Sequence, residues 1–130
     1  HVVGLRRAYP VASYLAYVLE KMSVPAMLHD GTGRLDHRHA LRRGEALLAI
    51  SFAPYSEETL SLVAEARGRG LAVVALTDHL SSPLAQQADA VLTMQEVDFG
   101  AFRSLLASIA MAITLAVAVG TRRGLGSDSP

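Results

Sequence analysis

The chain has 130 residues and a mass of 13.8 kDa, the size of one ordinary domain with a buried core. Apolar residues make up 51% of it and charged residues 18%, a balance that excludes an intrinsically disordered chain. Twelve basic residues balance twelve acidic ones and the pI is about 7.2, so no net positive field exists to hold DNA or an anionic membrane. If the function involves DNA, another segment must make the contact.

The sequence contains no cysteine. Disulfides, thiolate nucleophiles and cysteine-ligated zinc are therefore excluded, and a reducing compartment, the cytoplasm, is the expected location. The first residues, from His1 to Gly4, include neither an initiator methionine nor the basic segment of a signal peptide. We therefore expect no signal peptide, and we expect this chain to be a fragment of a longer protein.

The first third of the chain predicts two strands, a helix between them and a short second helix. Residues 2–3 are the apolar part of a short strand. Apolar residues then recur at three- and four-residue spacing over 11–22, the period of an amphipathic helix, and Pro10 fits its first turn. Residues 24–28 predict a second strand, and a glycine-rich loop then leads to a short helix near 36–41.

Two unbroken apolar runs, at residues 46–50 and 71–76, are typical of strands covered on both faces. Between them, Ser56 is a suitable N-cap, and the two glutamates after it complement the positive end of a helix dipole. This second amphipathic helix is expected to stop at Gly70.

The last third continues the same alternation. Ser82 followed by proline predicts the start of a short helix. Residues 90–94 predict a fifth strand, and residues 101–119 predict a long final helix. Residues 121–130 are expected to be a loose tail. Five alternations of strand and helix with buried apolar strands predict an α/β fold, a parallel sheet between two helical layers.

The stretch 104–121 carries no charge and has about the length of a membrane span. It is rich in alanine, includes serine and threonine, and ends at Gly120 before two arginines, as a packed helix with a C-terminal stop does. We therefore expect no membrane contact. The apolar surface of this helix is broader than one sheet face needs, so we expect a homodimer or higher homo-oligomer with Ala112 and Ala116 at its interface.

The topology rule for open parallel sheets nominates a binding site before its chemistry is considered. In a sheet of order 2-1-3-4-5, ligands bind beyond the carboxyl ends of strands one and three. The first of these loops contains Arg6 and Arg7, and the second contains Ser51 and Ser56. Guanidinium groups, hydroxyls and two helix N-termini favour an anion, although solvated loop arginines and a simple N-cap would leave the same pattern.

Several common signatures of catalytic and cofactor sites are absent. There is no GxGxxG turn for a dinucleotide, no Walker lysine and no carboxylate at the end of strand three. A GxSxG elbow is also missing, which makes a hydrolase triad of Ser51, Asp78 and His79 an unfavourable interpretation. No cofactor is expected.

Two further groups of residues have both a functional and a structural interpretation. Asp36, His37 and His39 resemble a metal cluster, but two histidines two positions apart point to different sides of a helix, so no metal is expected. Glu58 could act as a general acid or base at the rim of the crevice, or only as a partner of the helix dipole.

The motifs in chain order resemble the SIS (sugar isomerase) domain, in particular the effector-binding half of RpiR/MurR-type bacterial transcription regulators. The resemblance covers roughly residues 2–120. It rests on GLRRAYPVA at 4–12, ISFAPYSEET at 50–59, ALTD at 75–78, SPLA at 82–85 and Ala88-Asp89.

This resemblance implies a flavodoxin-like three-layer α/β/α sandwich with a five-stranded parallel sheet of order 2-1-3-4-5. It also implies a dimer paired through helices that binds phosphorylated sugars or related metabolites. Residues 1–120 would be one effector-binding domain and 121–130 its tail. In the regulators an N-terminal helix-turn-helix domain, which this chain does not include, makes the contact with DNA.

The chain departs from the family at both phosphate-binding turns. The first turn, commonly GxGxS, keeps Gly4 but has Arg6 at the second glycine and Ala8 at the serine. The second turn, commonly SxSGxT, has Ala53 at the second serine and Pro54 at the glycine. We therefore expect guanidinium groups to hold the anion, in a smaller site, and the ligand to be a sugar phosphate, a sugar acid or another anionic metabolite. The expected ligand-binding residues are Arg6, Arg7, Ser51, Tyr55, Ser56 and Glu58.

Three hypotheses about function remain open at this point. The first is an effector-sensing, dimerising domain of a transcription regulator with no catalytic residue. The second is a phosphosugar isomerase, which needs an acid/base pair beside the ring oxygen and the adjacent carbon. The third is a degenerate SIS domain that serves only for dimerisation.

Overall fold

The computed structural model describes residues 1–127. The regular elements, in chain order, are β1 (Val2–Gly4), α1 (Tyr9–Lys21), β2 (Leu28–His29), β3 (Ala46–Ile50), α2 (Glu57–Gly68), β4 (Ala72–Thr77), α3 (Pro83–Gln86), β5 (Ala90–Thr93) and α4 (Leu106–Ser127). Short 3₁₀ turns lie at Arg6–Ala8, Thr32–Arg34 and Arg38–Ala40.

The five strands form one parallel sheet of order β2-β1-β3-β4-β5. In the register, Val3 lies beside Ala49, and Leu76 of β4 lies between Ile50 and Leu92. This confirms the α/β fold and the strand order 2-1-3-4-5 predicted from the sequence. Helices α1 and α4 pack on one face of the sheet, and α2 and α3 on the other.

The apolar run of β3 serves two cores at once. Leu48 and Ile50 contact the core under α1 and α4, whereas Leu47 and Ala49 belong to the core under α2 and α3. Successive side chains of a strand point to opposite faces, so a strand between two helical layers needs apolar residues at every position. The predicted strand at 46–50 is confirmed with its bounds.

The predicted helix starts at Ser56 and Ser82 are also confirmed. The Ser56 hydroxyl accepts a hydrogen bond of 3.2 Å from the backbone N–H of Thr59, and Ser82 accepts one of 3.0 Å from Ala85. Pro10 lies in the first turn of α1, where a backbone N–H has no acceptor within the helix, so the lack of one costs no hydrogen bond. These three positions follow from chemistry within a few residues of each helix end.

The second strand is shorter than the sequence suggests and lies further along the chain. The residues predicted as strand, 24–28, are used mainly to leave α1: the N–H of Val24 donates to the Leu19 carbonyl, and that of Ala26 to the Glu20 carboxylate. Only Leu28 and His29 pair with β1. The short helix expected near 36–41 is a single 3₁₀ turn at Arg38–Ala40.

The last helix begins five residues later than predicted and continues further. Before it, the N–H of Ser104 donates to the Val97 carbonyl, and the chain makes a tight turn between them. The carboxylate of Glu96 then accepts the N–H groups of Ala107 and Ser108, at 3.0 and 2.9 Å, and so caps α4. The helix runs to Ser127, so the expectation of a loose tail from 121 is wrong up to that residue. Residues 128–130 lie outside the described part.

Gly120 has a different role from the one expected. It lies inside α4 and does not end the helix, and a Cβ there would be only 2.6 Å from the Cβ of Met22 at the end of α1. The glycine therefore allows the ends of the two helices to approach closely.

The interface positions expected on α4 are wrong. Ala112 and Ala116 are fully buried in the core beneath α1 and α4, whereas Ile113 and Val117 are exposed. Within the described residues, 106–124 is the one helix long and apolar enough to cross a membrane, with 22% of that window buried. The buried Ala112 and Ala116 pack one side of α4 on the core, and the opposite side is exposed.

Candidate functional site

The two turns nominated by the topology rule face one another at the carboxyl edge of the sheet. Together they line a cavity of about 70 Å³ between the ends of β1 and β3. Arg6, Arg7, Ser51 and Ser56 all lie on its wall. The structure therefore brings four of the six predicted site residues together, at the place where β1 and β3 pair.

Arg6 has an unusual backbone conformation for a residue with a side chain. Its φ angle is +56°, in the left-handed region that favours glycine. The guanidinium is exposed and makes no hydrogen bond or ion pair with any residue in 1–127. It is therefore free to contact a ligand.

Arg7 is engaged within the protein. Its guanidinium donates a hydrogen bond of 3.2 Å to the carbonyl of Ala53 and lies 4.9 Å from the centroid of the Phe52 ring. These contacts tie the β1–α1 turn to the β3–α2 turn. The expected pair of free arginines is thus one free arginine, Arg6, and one arginine that fixes the shape of the site.

The two serines close the β3–α2 turn from inside. The N–H of Ser56 donates a 3.2 Å hydrogen bond to the Ser51 hydroxyl, and the Ser56 hydroxyl caps α2 as described above. Both side chains are buried. Each hydroxyl oxygen thus accepts from the backbone, and each still has one proton to donate into the cavity.

Tyr55 is bound to a residue that the sequence did not place in the site. Its hydroxyl donates a 2.6 Å hydrogen bond to Asp78, and the other carboxylate oxygen of Asp78 accepts the N–H of Ala53 at 3.0 Å. Burial raises the pKa of Tyr55, and the hydrogen bond to the Asp78 carboxylate raises it further. Burial also raises the pKa of Asp78, but the hydrogen bonds from Tyr55 and Ala53 outweigh it and leave that pKa below its ordinary value.

A sequence signal for Asp78 was present, although Asp78 was not among the expected site residues. Asp78 follows β4, the neighbour of β3, so the parallel sheet puts it beside the β3–α2 turn. Within the described residues, Ser51 and Asp78 hydrogen-bond the turn itself and neither hydrogen-bonds the exposed His79, so the hydrolase triad that the sequence made unfavourable is not assembled.

Glu58 lies in a second, larger cavity. This cavity has a volume of about 330 Å³ and lies between the β2–β3 segment and α2. Its apolar lining consists of Val3, Leu5, Leu35 and Leu62, with Gly31, and its polar lining of His29, Asp36, His37, Arg38 and Glu58. Leu5 lines both cavities, so the two are neighbours at the same edge of the sheet.

The polar wall of the larger cavity combines a buried histidine with a glutamate that has no hydrogen-bond partner within residues 1–127. His29 is 8% exposed, and its Nε2 lies 2.9 Å from Nδ1 of His1. Burial lowers the pKa of His29, and the neighbouring His37 lowers it further. Arg38 is held by Asp36 at 3.2 Å, whereas Glu58 has no hydrogen-bond partner among the described residues.

The residues that resembled a metal cluster do not assemble into one. Among residues 1–127, no group of three histidine, cysteine, aspartate or glutamate side chains is arranged to hold a metal ion. The rings of His37 and His39 lie 6.3 Å apart, and the Asp36 carboxylate pairs with Arg38.

The sequence model of the SIS domain family matches residues 1–119. Among solved structures, the chain is similar to the sugar isomerase domain of an RpiR transcription factor from Sphaerobacter thermophilus. The two are 28% identical with a TM-score of 0.85, over 93% of this chain and 69% of that one. A comparison with curated proteins gave no significant match.

Two more distant structures share the fold. One is an Escherichia coli CFT073 protein solved in complex with arabinose 5-phosphate, at 15% identity and a TM-score of 0.79 over 95% of this chain and 69% of that one. The other is a protein from Methanococcus jannaschii whose structure was interpreted as that of a 3-hexulose-6-phosphate isomerase, at 14% identity and a TM-score of 0.71 over 94% and 68%. With the strand order and the paired turns at the carboxyl edge, these findings show that the chain belongs to the SIS domain family.

Proposed function

We propose that the chain is the effector-sensing and dimerisation domain of a bacterial transcription regulator, and that its effector is a small anionic carbohydrate derivative. Similarity to the domain of an RpiR transcription factor supports the regulatory role. The helix-turn-helix domain that binds DNA would precede this chain, and the protein would act in the cytoplasm.

The observation that carries this proposal is the pair of adjacent cavities. A volume of about 330 Å³ falls within the range of small-molecule sites, and its polar residues can hydrogen-bond sugar hydroxyls. The 70 Å³ cavity next to it has room for only a few atoms, and Arg6 supplies a positive charge there. The effector would place its polyol body in the larger cavity and its anionic group in the smaller one.

The exposed side of the α1–α4 layer supports dimerisation. Both helices lie on the same face of the sheet, and each exposes large apolar side chains: Tyr14 and Tyr17 on α1, and Ile113 and Val117 on α4. An apolar surface of this kind is typical of a protein–protein interface. We propose that a second copy of the chain covers it.

A second candidate function is phosphosugar isomerisation. Glu58 and His37 line the same cavity, and these are side chains that can act as an acid/base pair at neighbouring carbon atoms of a sugar. A regulator domain and an isomerase then differ in turnover, because only the isomerase converts the bound sugar.

A thermal-shift screen against sugar phosphates, uronic acids and aldonic acids tests the proposed function. At a concentration one hundred times its Kd, an effector stabilises the folded protein by about 2.7 kcal/mol, and this gain should disappear in Arg6→Ala. The control is Arg122→Ala, which removes an exposed arginine of α4 outside both cavities. Conversion of any ligand, followed by NMR, would favour the isomerase, and no shift with any compound would favour the empty dimerisation domain.

A further inference from the structure

We propose, on the basis of the function above, that the anionic group this domain selects is a carboxylate, not a phosphate ester. A phosphate ester has three terminal oxygens and a charge of about −1.5 to −2 at neutral pH, so it needs many donors. A carboxylate has two oxygens and one charge. The β3–α2 turn of this chain has enough donors for a carboxylate and too few for a phosphate ester.

The first argument is the shortage of donors in the turn. Pro54 has no backbone N–H, and Ala53 has no hydroxyl. The N–H of Ala53 is bound by Asp78, and the N–H of Ser56 by the Ser51 hydroxyl. At positions 53, 54 and 56 the donors that a phosphate would draw on are therefore either missing or occupied by the protein itself.

The second argument is the charge of Asp78. Its carboxylate holds the Ala53 N–H at 3.0 Å, where it takes the place of an external anion, and its lowered pKa keeps it ionised at neutral pH. The Coulomb repulsion energy between the Asp78 carboxylate and an anionic ligand is proportional to the ligand's charge, so a second negative charge on the ligand doubles it. A dianionic phosphate is thus disfavoured more than a monoanionic carboxylate.

The third argument is the geometry of the remaining donor. With Arg7 bound to Ala53 and Phe52, the free guanidinium at this cavity is that of Arg6. One planar guanidinium donates two parallel hydrogen bonds, which serve both oxygens of a carboxylate but only two of the three terminal oxygens of a phosphate ester. The Ser51 and Ser56 hydroxyl protons complete a set of donors suited to two oxygens.

Calorimetric titration with matched ligand pairs tests this inference. Each pair shares one sugar and differs in the anionic group, for example glucuronate and glucose 6-phosphate, with the galactose and mannose equivalents. We expect the carboxylate member of the binding pair to have a Kd lower by about tenfold or more, and Arg6→Ala to remove this preference. Tighter or equal binding of the phosphate member overturns the inference and leaves the proposed function standing. Absence of binding by every uronate, aldonate and phosphate overturns both.

A variant that restores the missing donors gives an independent test. The double change Ala53→Ser with Pro54→Gly adds one hydroxyl and one N–H to the turn, and Asp78→Asn separately removes the internal charge without changing the shape of the side chain. In each variant, the Kd of the carboxylate ligand divided by the Kd of the phosphate ligand is expected to rise by about tenfold, which means relatively tighter binding of the phosphate. Asp98→Asn, a charge removed from the turn before α4 outside both cavities, should leave the ratio unchanged. A ratio unaltered in folded Asp78→Asn contradicts the inference even if the double variant does not fold.

Discussion

The hydroxyl of Tyr55 donates a hydrogen bond of 2.6 Å to the carboxylate of Asp78, and this bond joins the β3–α2 turn to the end of β4. The same carboxylate holds the N–H of Ala53, and Arg7 of the β1–α1 turn holds the carbonyl of Ala53. The turn is therefore fixed from two directions before any ligand arrives. A turn fixed in this way is preorganised for its ligand, but its own donors are largely engaged.

Replacing Tyr55 by phenylalanine should lower the free energy of unfolding by about 1–2 kcal/mol, because a hydrogen bond to a charged group is lost at a partly buried position. Urea denaturation at neutral pH measures the change. Tyr14→Phe is the matched control, since Tyr14 is exposed on α1, and it should change stability by less than about 0.5 kcal/mol. Equal effects of the two changes would show that the bond to Asp78 contributes nothing.

The contribution of Asp78 should also depend on pH. A carboxyl whose pKa is lower in the folded than in the unfolded state stabilises the fold above the unfolded pKa, here 3.8, and loses this effect as the pH falls through the folded pKa. The stability difference between wild type and Asp78→Asn should therefore be constant near neutral pH and shrink below about pH 4. A difference that grows on acidification, in urea titrations across this range, would reverse the assigned direction of the shift.

Arg6→Gly should be more stable than Arg6→Ala by about 0.5–1 kcal/mol. Both changes remove the guanidinium, but only glycine adopts a φ of +56° without steric cost, and its gain is reduced by the greater freedom of the unfolded chain. Thermal denaturation of the two variants gives the comparison. Equal stability would show that the left-handed conformation at this position carries no strain.

Ile113→Glu and Val117→Glu should each shift the protein toward monomer in sedimentation experiments while circular dichroism remains that of the folded chain. A charge on the exposed side of α4 disrupts an apolar interface without entering the core. Ala112→Glu and Ala116→Glu are expected to unfold the protein instead, because both positions are fully buried. A folded dimer that survives both exposed changes would exclude this side of α4 from the interface.

Gly4→Ala should destabilise the fold by about 1–3 kcal/mol. A Cβ at Gly4 would lie 2.9 Å from the Cβ of Ala12 and 2.9 Å from the carbonyl oxygen of Ala8, which is closer than packed atoms allow. Gly68→Ala is the matched control: it lies in α2 with nothing within 4 Å, and it should stabilise the helix by up to about 1 kcal/mol. Urea denaturation of both variants should therefore give changes of opposite sign.

Features that depend on near neighbours and on the pattern of apolar residues could be predicted from the sequence. The strand at 46–50 and the caps at Ser56 and Ser82 were predicted, because periodicity and capping act over a few residues. The alternation of strands and helices predicted a parallel sheet, and its order 2-1-3-4-5 came from the resemblance to the SIS domain. The position of Arg6 and the two serines at one edge of the sheet follows from the same topology.

Which polar groups at this edge of the sheet remain available to a ligand depends on contacts between segments that are distant in the sequence. Arg7 meets Ala53 across 46 positions of sequence and Tyr55 meets Asp78 across 23, and these contacts leave no local trace. Glu96 set the start of α4 from 11 positions away. Packing of α4 on the core buries Ala112 and leaves Ile113 exposed, although both lie in a segment of mostly apolar residues. Hydrogen bonds and packing between distant segments are set by the folded arrangement, and local patterns do not encode them.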